Sequence, residues 1–126
     1  MAHLGVKIAG FVQGDDLEIR RTVVDLPSPI DAAWLTLKRS ATEPDASAAL
    51  QKKITTENVV GLGAIEEAGG NGDDGELRFD LTPADTESLS SLRYVHDIQI
   101  KLESGKVYTI EKGTVQLIRD VTKSTT

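Results

Sequence analysis

The sequence predicts an all-β antiparallel sandwich of about seven strands with one short helical insertion. Three observations predict it. Apolar residues recur with period two rather than 3.6. Clusters of Gly, Pro, Asn and Asp fall between the apolar runs. The 126 residues include only one Trp, two Tyr and two Phe, so the core must be built mostly from Val, Ile, Leu and Ala. Side chains in a strand point to opposite faces in turn, so alternation of this kind marks half-buried antiparallel strands.

Taken in order, Leu4, Val6 and Ile8 alternate with Gly5 and Lys7. Leu17, Ile19 and Val23 share a parity, with Glu18, Arg20 and Thr22 between them. Ala33, Leu35 and Leu37 define a further strand. Leu77, Phe79 and Leu81 alternate with Glu76, Arg78 and Asp80. Tyr94, Ile98, Ile100 and Leu102 oppose Arg93, Asp97, Gln99 and Lys101. This run turns at Glu103–Lys106 into Val107–Glu111, the clearest hairpin in the chain. Val115, Leu117 and Val121 form the final run, with Gly113 expected as a bulge or tight turn before it. The turns carry Gly14-Asp15-Asp16, Pro27-Ser28-Pro29 and the Gly- and Asp-rich stretch 69–75, read as a hairpin tip.

Two stretches break the period. Glu43–Lys53 has an early Pro, Asp45 or Ser47 as a cap, and Ala-rich helix formers before Lys52-Lys53, which predicts one or two helical turns. Thr82–Leu89 predicts a single helical turn joining two strands. The chain reads as one domain over 1–126, with 119–126 as a polar C-terminal tail.

Composition narrows the chemistry. No cysteine means no disulfide, no thiolate metal site and no Cys nucleophile. A net charge of −6 disfavours nucleic acid as a partner. No run of 18 apolar residues suggests a membrane span. The Met1–Val12 start does not read as a signal peptide. No G-x-S-x-G elbow is present, and Gly61-Leu62-Gly63 lacks the third glycine of a phosphate fingerprint. The acidic residues Glu66, Glu67, Asp73, Asp74 and Glu76 gather near Asn71-Gly72, but their spacing is wrong for a calcium loop, so a solvated hairpin is expected. No metal and no cofactor is assigned. Ser88, Ser90 and Ser91 read as turn residues. His96 shares the parity of Tyr94 and Ile98, as a core histidine with its nitrogens satisfied. It faces away from Asp97. The basic doublets Arg20-Arg21, Lys38-Arg39 and Lys52-Lys53 read as solvated charge, with Arg20 and Arg21 on opposite faces of one strand.

Trp34 has two readings. It lies off the parity of Ala33, Leu35 and Leu37, so it points outward as an interface anchor unless a bulge turns it into the core. The remaining interface candidates are the 12–16 turn (Val12, Gln13, Asp15 and Asp16) and the polar tail, represented by Lys123 and Thr126.

Leu81-Thr82-Pro83-Ala84-Asp85, with Tyr94 and then His96, resembles the E-to-F corner of an immunoglobulin-like domain. There an Asp-bearing turn leads into a Tyr, and a core residue, often Cys, follows two positions later. A Trp on the third strand adds to the likeness. Without cysteines such a sandwich must rely on alternating aliphatics.

A second resemblance rests on an ordered set of segments. These are Val12–Asp16, Ala33–Lys38, Asp45-Ala46, Gln51–Thr55, Gly75–Thr86, Tyr94–Ile100, Gly105–Ile110, Gly113 and Asp120–Thr122. The set resembles small tailed-phage virion proteins, and in particular the immunoglobulin-like N-terminal domain of phage upper baseplate proteins. The resemblance implies a non-enzymatic attachment or decoration module on the capsid surface or in the tail, baseplate or fibre region. It implies other virion proteins as partners, a possible homo-oligomer, and a place in the virion after assembly in the host cytoplasm. The alternative class is a stand-alone sandwich that binds a glycan or other small ligand.

Overall fold

The computed structural model describes residues 4–5, 8–12, 16–40, 42, 48–87, 89 and 93–118. Among them the strands are β1 (Leu4–Gly5), β2 (Ile8–Val12), β3 (Leu17–Val23), β4 (Ile30–Lys38), β5 (Leu50–Ile54), β6 (Gly63–Glu67) and β7 (Gly75–Leu81). One helix, α1 (Pro83–Glu87), precedes β8 (Arg93–Leu102) and β9 (Val107–Ile118). One sheet runs β1-β9-β8-β4-β5, with β2 also on β9, and the other runs β3-β7-β6. The two sheets form the expected β-sandwich. With β9-β8-β4 adjacent in one sheet and β3-β7-β6 forming the other, the strand order is that of an immunoglobulin-like sandwich. The N-terminal edge departs from a purely antiparallel pattern, since β1 and β2 pair parallel to β9.

The core is aliphatic, as the composition requires. Leu35, Leu37, Leu77, Phe79, Tyr94, Ile98 and Ile100 are all fully buried between the sheets. Each sits at the inward parity of its strand, so the period-two pattern is the direct source of the core.

Three local expectations need correction. Residues 50–53 are strand rather than helix: Leu50–Ile54 is β5, paired antiparallel to Leu37–Ala33 of β4. Pairing with β4 overrides the helix propensity of Gln51-Lys52-Lys53, because it buries Lys52 and Ile54 on one face. Residues 43–47 lie outside the described residues. Gly113 is neither bulge nor turn: β9 is continuous, and Gly113 stands in register opposite His96. The bulge lies earlier, where Ile98 faces Glu111 but Gln99 faces Thr109, which leaves Ile110 as the extra residue. That one extra residue turns Glu111 inward. Third, Arg21 and Lys52 are not solvated charge, as described below.

Two expected connections are present. The 68–74 segment is the tip of the β6–β7 hairpin. It lies against the chain before β4: Gly72 N donates to Leu26 O at 2.8 Å and Ile30 N donates to Ala68 O at 2.8 Å. Gly70 has φ +109, and a Cβ there would come within 2.7 Å of Pro29. The other connection is α1, closed by reciprocal capping. Thr82 Oγ1 accepts from Asp85 N at 3.2 Å, and Asp85 Oδ2 accepts from Thr82 N at 2.8 Å. Pro83 at the first helical position has no N–H to lose.

Candidate functional site

Three polar constellations stand out, two inside the sandwich and one on an outer face.

The first bridges the sheets. β3 alternates Leu17, Ile19, Arg21 and Val23 on its inward side, so Arg21 enters from the three-stranded sheet. Glu111 enters from β9 because of the Ile110 bulge, and His96 from the adjacent strand β8. Arg21 Nε donates to Glu111 Oε1 at 2.6 Å and Arg21 Nη2 donates to Glu111 Oε2 at 3.2 Å. His96 Nε2 is 2.8 Å from Glu111 Oε2. An ionised carboxylate only accepts, so His96 Nε2 is the donor in this hydrogen bond. Nδ1 of His96 is buried with no hydrogen-bond partner. Only one of the two ring nitrogens is therefore satisfied, where sequence reasoning expected both. The His96 side chain is wholly buried, and that of Glu111 is 6% exposed. Burial pushes the Glu111 carboxyl up. Hydrogen bonds from His96 and Arg21, together with the Arg21 charge, outweigh it and hold the group down at about 2. His96 lies two residues beyond Tyr94, where an immunoglobulin domain carries its second inter-sheet cysteine. Here an ionic brace from β3 to β8, through Glu111 of β9, links the two sheets instead.

The second constellation ties α1 to the edge of the sandwich. Lys52 sits between Leu50 and Ile54 on the inward parity of β5, and its side chain is 9% exposed. Its Nζ is 2.6 Å from Asp85 Oδ2 and donates to Gly61 O at 2.8 Å. Burial pushes the Asp85 carboxyl up, but hydrogen bonds from Lys52 and from the Thr82 amide and hydroxyl, with the Lys52 charge, leave it lowered. Asp85 thus caps α1 and neutralises Lys52 at once. Replacing Asp85 by Ala strands the ammonium and removes the cap. A loss of about 3 kcal/mol in unfolding free energy is expected, whereas Asp85→Asn keeps the cap acceptor and should lose less. Urea denaturation of both variants checks this.

The third is the outer face of the larger sheet, where register builds rows of side chains across the strands. Trp34 faces Lys53 on one side and Gln99 on the other, and Gln99 faces Thr109. In the next row Thr36 faces Gln51 and Asp97, and Asp97 faces Lys112. Trp34 is half-buried on this face while Ala33, Leu35 and Leu37 are buried on the other. The structure thus decides between its two readings in favour of outward. The only bulge in β4 lies between Ile30 and Ala32, before the parity of Trp34 is set. Lys53 Nζ lies 5.7 Å from the Trp34 ring centroid, within cation–π range. Gln51 donates to Thr36 Oγ1 and Gln99 to Thr109 Oγ1, so the amides flanking the ring are held in place. A hollow of about 220 Å³ beside this row is lined by Thr36, Lys38, Val95, Asp97 and Lys112.

Of the other interface candidates, Asp16 is exposed just before β3, and Val12 ends β2 opposite Ile118. Gln13, Asp15, Lys123 and Thr126 lie outside the described residues, as do Ser88, Ser90 and Ser91. The structure brings none of the described candidates next to Trp34. Among the described residues, no group of three or more acidic or His side chains is placed to hold a metal ion. Of the acidic cluster, Glu66 pairs with both Arg20 and Arg78, and Asp74 Oδ1 accepts from Asp25 N at 3.2 Å.

Sequence reasoning missed Arg21, Glu111, Lys52 and Asp85 as partners. A signal existed for two of them: Arg21 between Ile19 and Val23, and Lys52 between Leu50 and Ile54, each occupy an inward parity. Glu111 gave none, because the bulge that turns it inward is decided by pairing with β8.

No family model matches this sequence, and no curated protein matches it. Among solved structures, the chain is similar to the sialic acid binding region of an adhesin from Streptococcus sanguinis SK1 bound to 3'sLn, with a TM-score of 0.46 and 10% identity. That match covers 97% of this chain and 30% of the adhesin chain.

Proposed function

We propose that this chain is a non-enzymatic structural protein of a tailed-phage virion, an attachment or decoration module held to the capsid or to the tail, baseplate or fibre by protein contact. The observation that carries this reading is the outward placement of Trp34 on a broad sheet face. The ordered resemblance to small virion proteins supplies the context. A half-exposed Trp at the centre of a patch with a polar rim is the anatomy of a protein interface. The ring is already oriented by Lys53 and Gln99, so little side-chain freedom remains to be lost on docking.

The test has two parts. Mass spectrometry of gradient-purified phage particles should detect the chain in fixed stoichiometry. Trp34→Ala should then weaken rebinding to particles lacking it by about 30-fold, as expected for an interface residue worth roughly 2 kcal/mol. Absence from purified particles would sink the virion reading. Binding to an immobilised glycan panel, abolished by Trp34→Ala, would favour the ligand-binding class instead.

A further inference from the structure

The two outer faces of the sandwich carry opposite charge, although the chain as a whole is acidic at −6. Among the described residues, the outward sides of β4, β5, β8 and β9 present Lys38, Lys53, Arg93, Lys101 and Lys112 against two acids, Asp97 and, at the β4 bulge, Asp31. The centre of that face is uncharged: Trp34, Gln99 and Thr109, beside a buried Thr36. The outward face of β3, β7 and β6 is the reverse. It presents Glu18, Glu66, Glu67, Glu76 and Asp80. Its only cations are two central guanidiniums, Arg20 and Arg78, tied to those acids: Arg20 to Glu18 and Glu66, Arg78 to Glu66 and Asp80.

The two faces are complementary in pattern as well as sign. One has an aromatic centre and a cationic rim. The other has a guanidinium centre and an anionic rim. An Arg side chain stacks on a Trp face, and rim charges of opposite sign steer and register two flat surfaces. We propose that the Trp34 face of one copy docks on the outer face of the three-stranded sheet of a second copy, so that the sandwiches stack head to tail. Such a contact is heterologous, since it uses two different patches, and it propagates or closes into a ring. The inference goes beyond the attachment reading, which needs only one docking partner and no contact between copies.

The test is the oligomeric state of the purified chain by sedimentation velocity over a concentration series. Association should be visible at about 20 mM salt and at least about tenfold weaker at roughly 0.5 M, where exposed charges are screened. Lys53→Glu/Lys101→Glu, which reverses one face, should stay monomeric. So should Glu67→Lys/Glu76→Lys, which reverses the other at positions outside the Arg20 and Arg78 ion pairs. An equimolar mixture of the two variants should associate again, because each retains one native face. Circular dichroism and melting temperature establish that both variants fold. A native chain that stays monomeric at low salt overturns the proposal. So does an association that ignores salt, or one that survives either reversal. If association behaves as expected but the chain is missing from phage particles, the attachment reading fails and the stacking stands.

Discussion

Glu111→Ala is expected to lower the unfolding free energy by about 3–5 kcal/mol, because it leaves the buried His96 and the inward-facing Arg21 without their shared acceptor. On a total stability of roughly 5–15 kcal/mol for a domain of this size, that is enough to threaten folding at physiological temperature. A second variant separates the loss of partners from the loss of charge. In Arg21→Met/His96→Leu/Glu111→Met the whole brace is replaced by apolar groups of similar length. Desolvating three polar groups opposes the attraction among them, so the triple variant should recover most of the stability lost in Glu111→Ala, and it can exceed the native chain. Urea denaturation of the three proteins decides it. A triple variant no more stable than Glu111→Ala would show that the brace contributes net stability of its own.

The brace also sets an acid limit. The Glu111 carboxyl is held at about 2 against an ordinary 4.5. A depressed folded-state value contributes stability that is complete above the unfolded value and is lost as pH falls through the folded one. The contribution of this carboxylate should therefore be complete above about pH 5 and be lost between about 4.5 and 2, amounting to roughly 3 kcal/mol. Asp85, also lowered, adds to the loss in the same direction. Melting temperature against pH measures it. Glu111→Gln should flatten the acid limb, which a general charge effect would not do.

Gly63→Ala is expected to be the most damaging single substitution in a strand. Gly63 opens β6 at φ +117, a conformation that L side chains rarely adopt. It pairs with Phe79 of β7, and a Cβ there would fall on the Arg78 carbonyl oxygen, with the Phe79 Cα only 3.1 Å away. The obstacle is backbone in a central strand and cannot rotate aside. A loss above about 4 kcal/mol is expected, through combined steric and conformational strain. The signature is low soluble yield, or a melting curve without a cooperative transition. The control is Gly72→Ala at the hairpin tip. That site also has a positive φ, +88, but nothing lies within 4 Å of its added Cβ. It should lose only about 1 kcal/mol.

Much of the sandwich was legible because its signal is local. Ile19, Leu35, Phe79, Ile98 and Val115 are buried where alternation places them, and Tyr94 sits inside at the start of β8. The helical turn at Thr82 was legible for the same reason. Its Thr and Asp are three residues apart and close on each other. The misread segment was β5, where Lys52-Lys53 after an Ala-rich stretch carries helix propensity. Propensity differences of a few tenths of a kcal/mol per residue lose to burying Ile54 and pairing a strand.

Residue type and a period of two were enough for the fold class, the aliphatic core and the absence of a disulfide, whereas the side taken by Trp34 was settled only by the unbulged register of β4 around it. Tertiary structure alone decided how the missing disulfide is replaced. Glu111 faces inward only because one extra residue, Ile110, is accommodated against β8, and it meets Arg21 only because the two sheets stack. It also decided that Arg21 and Lys52 are not solvated, since their partners Glu111 and Asp85 come from other elements, while Arg20 and Lys53 stay on opposite outer faces. Those outcomes depend on register and sheet stacking, which bring together residues 90 positions apart in the chain. No local pattern encodes such contacts, because their free energy exists only once both sheets are formed.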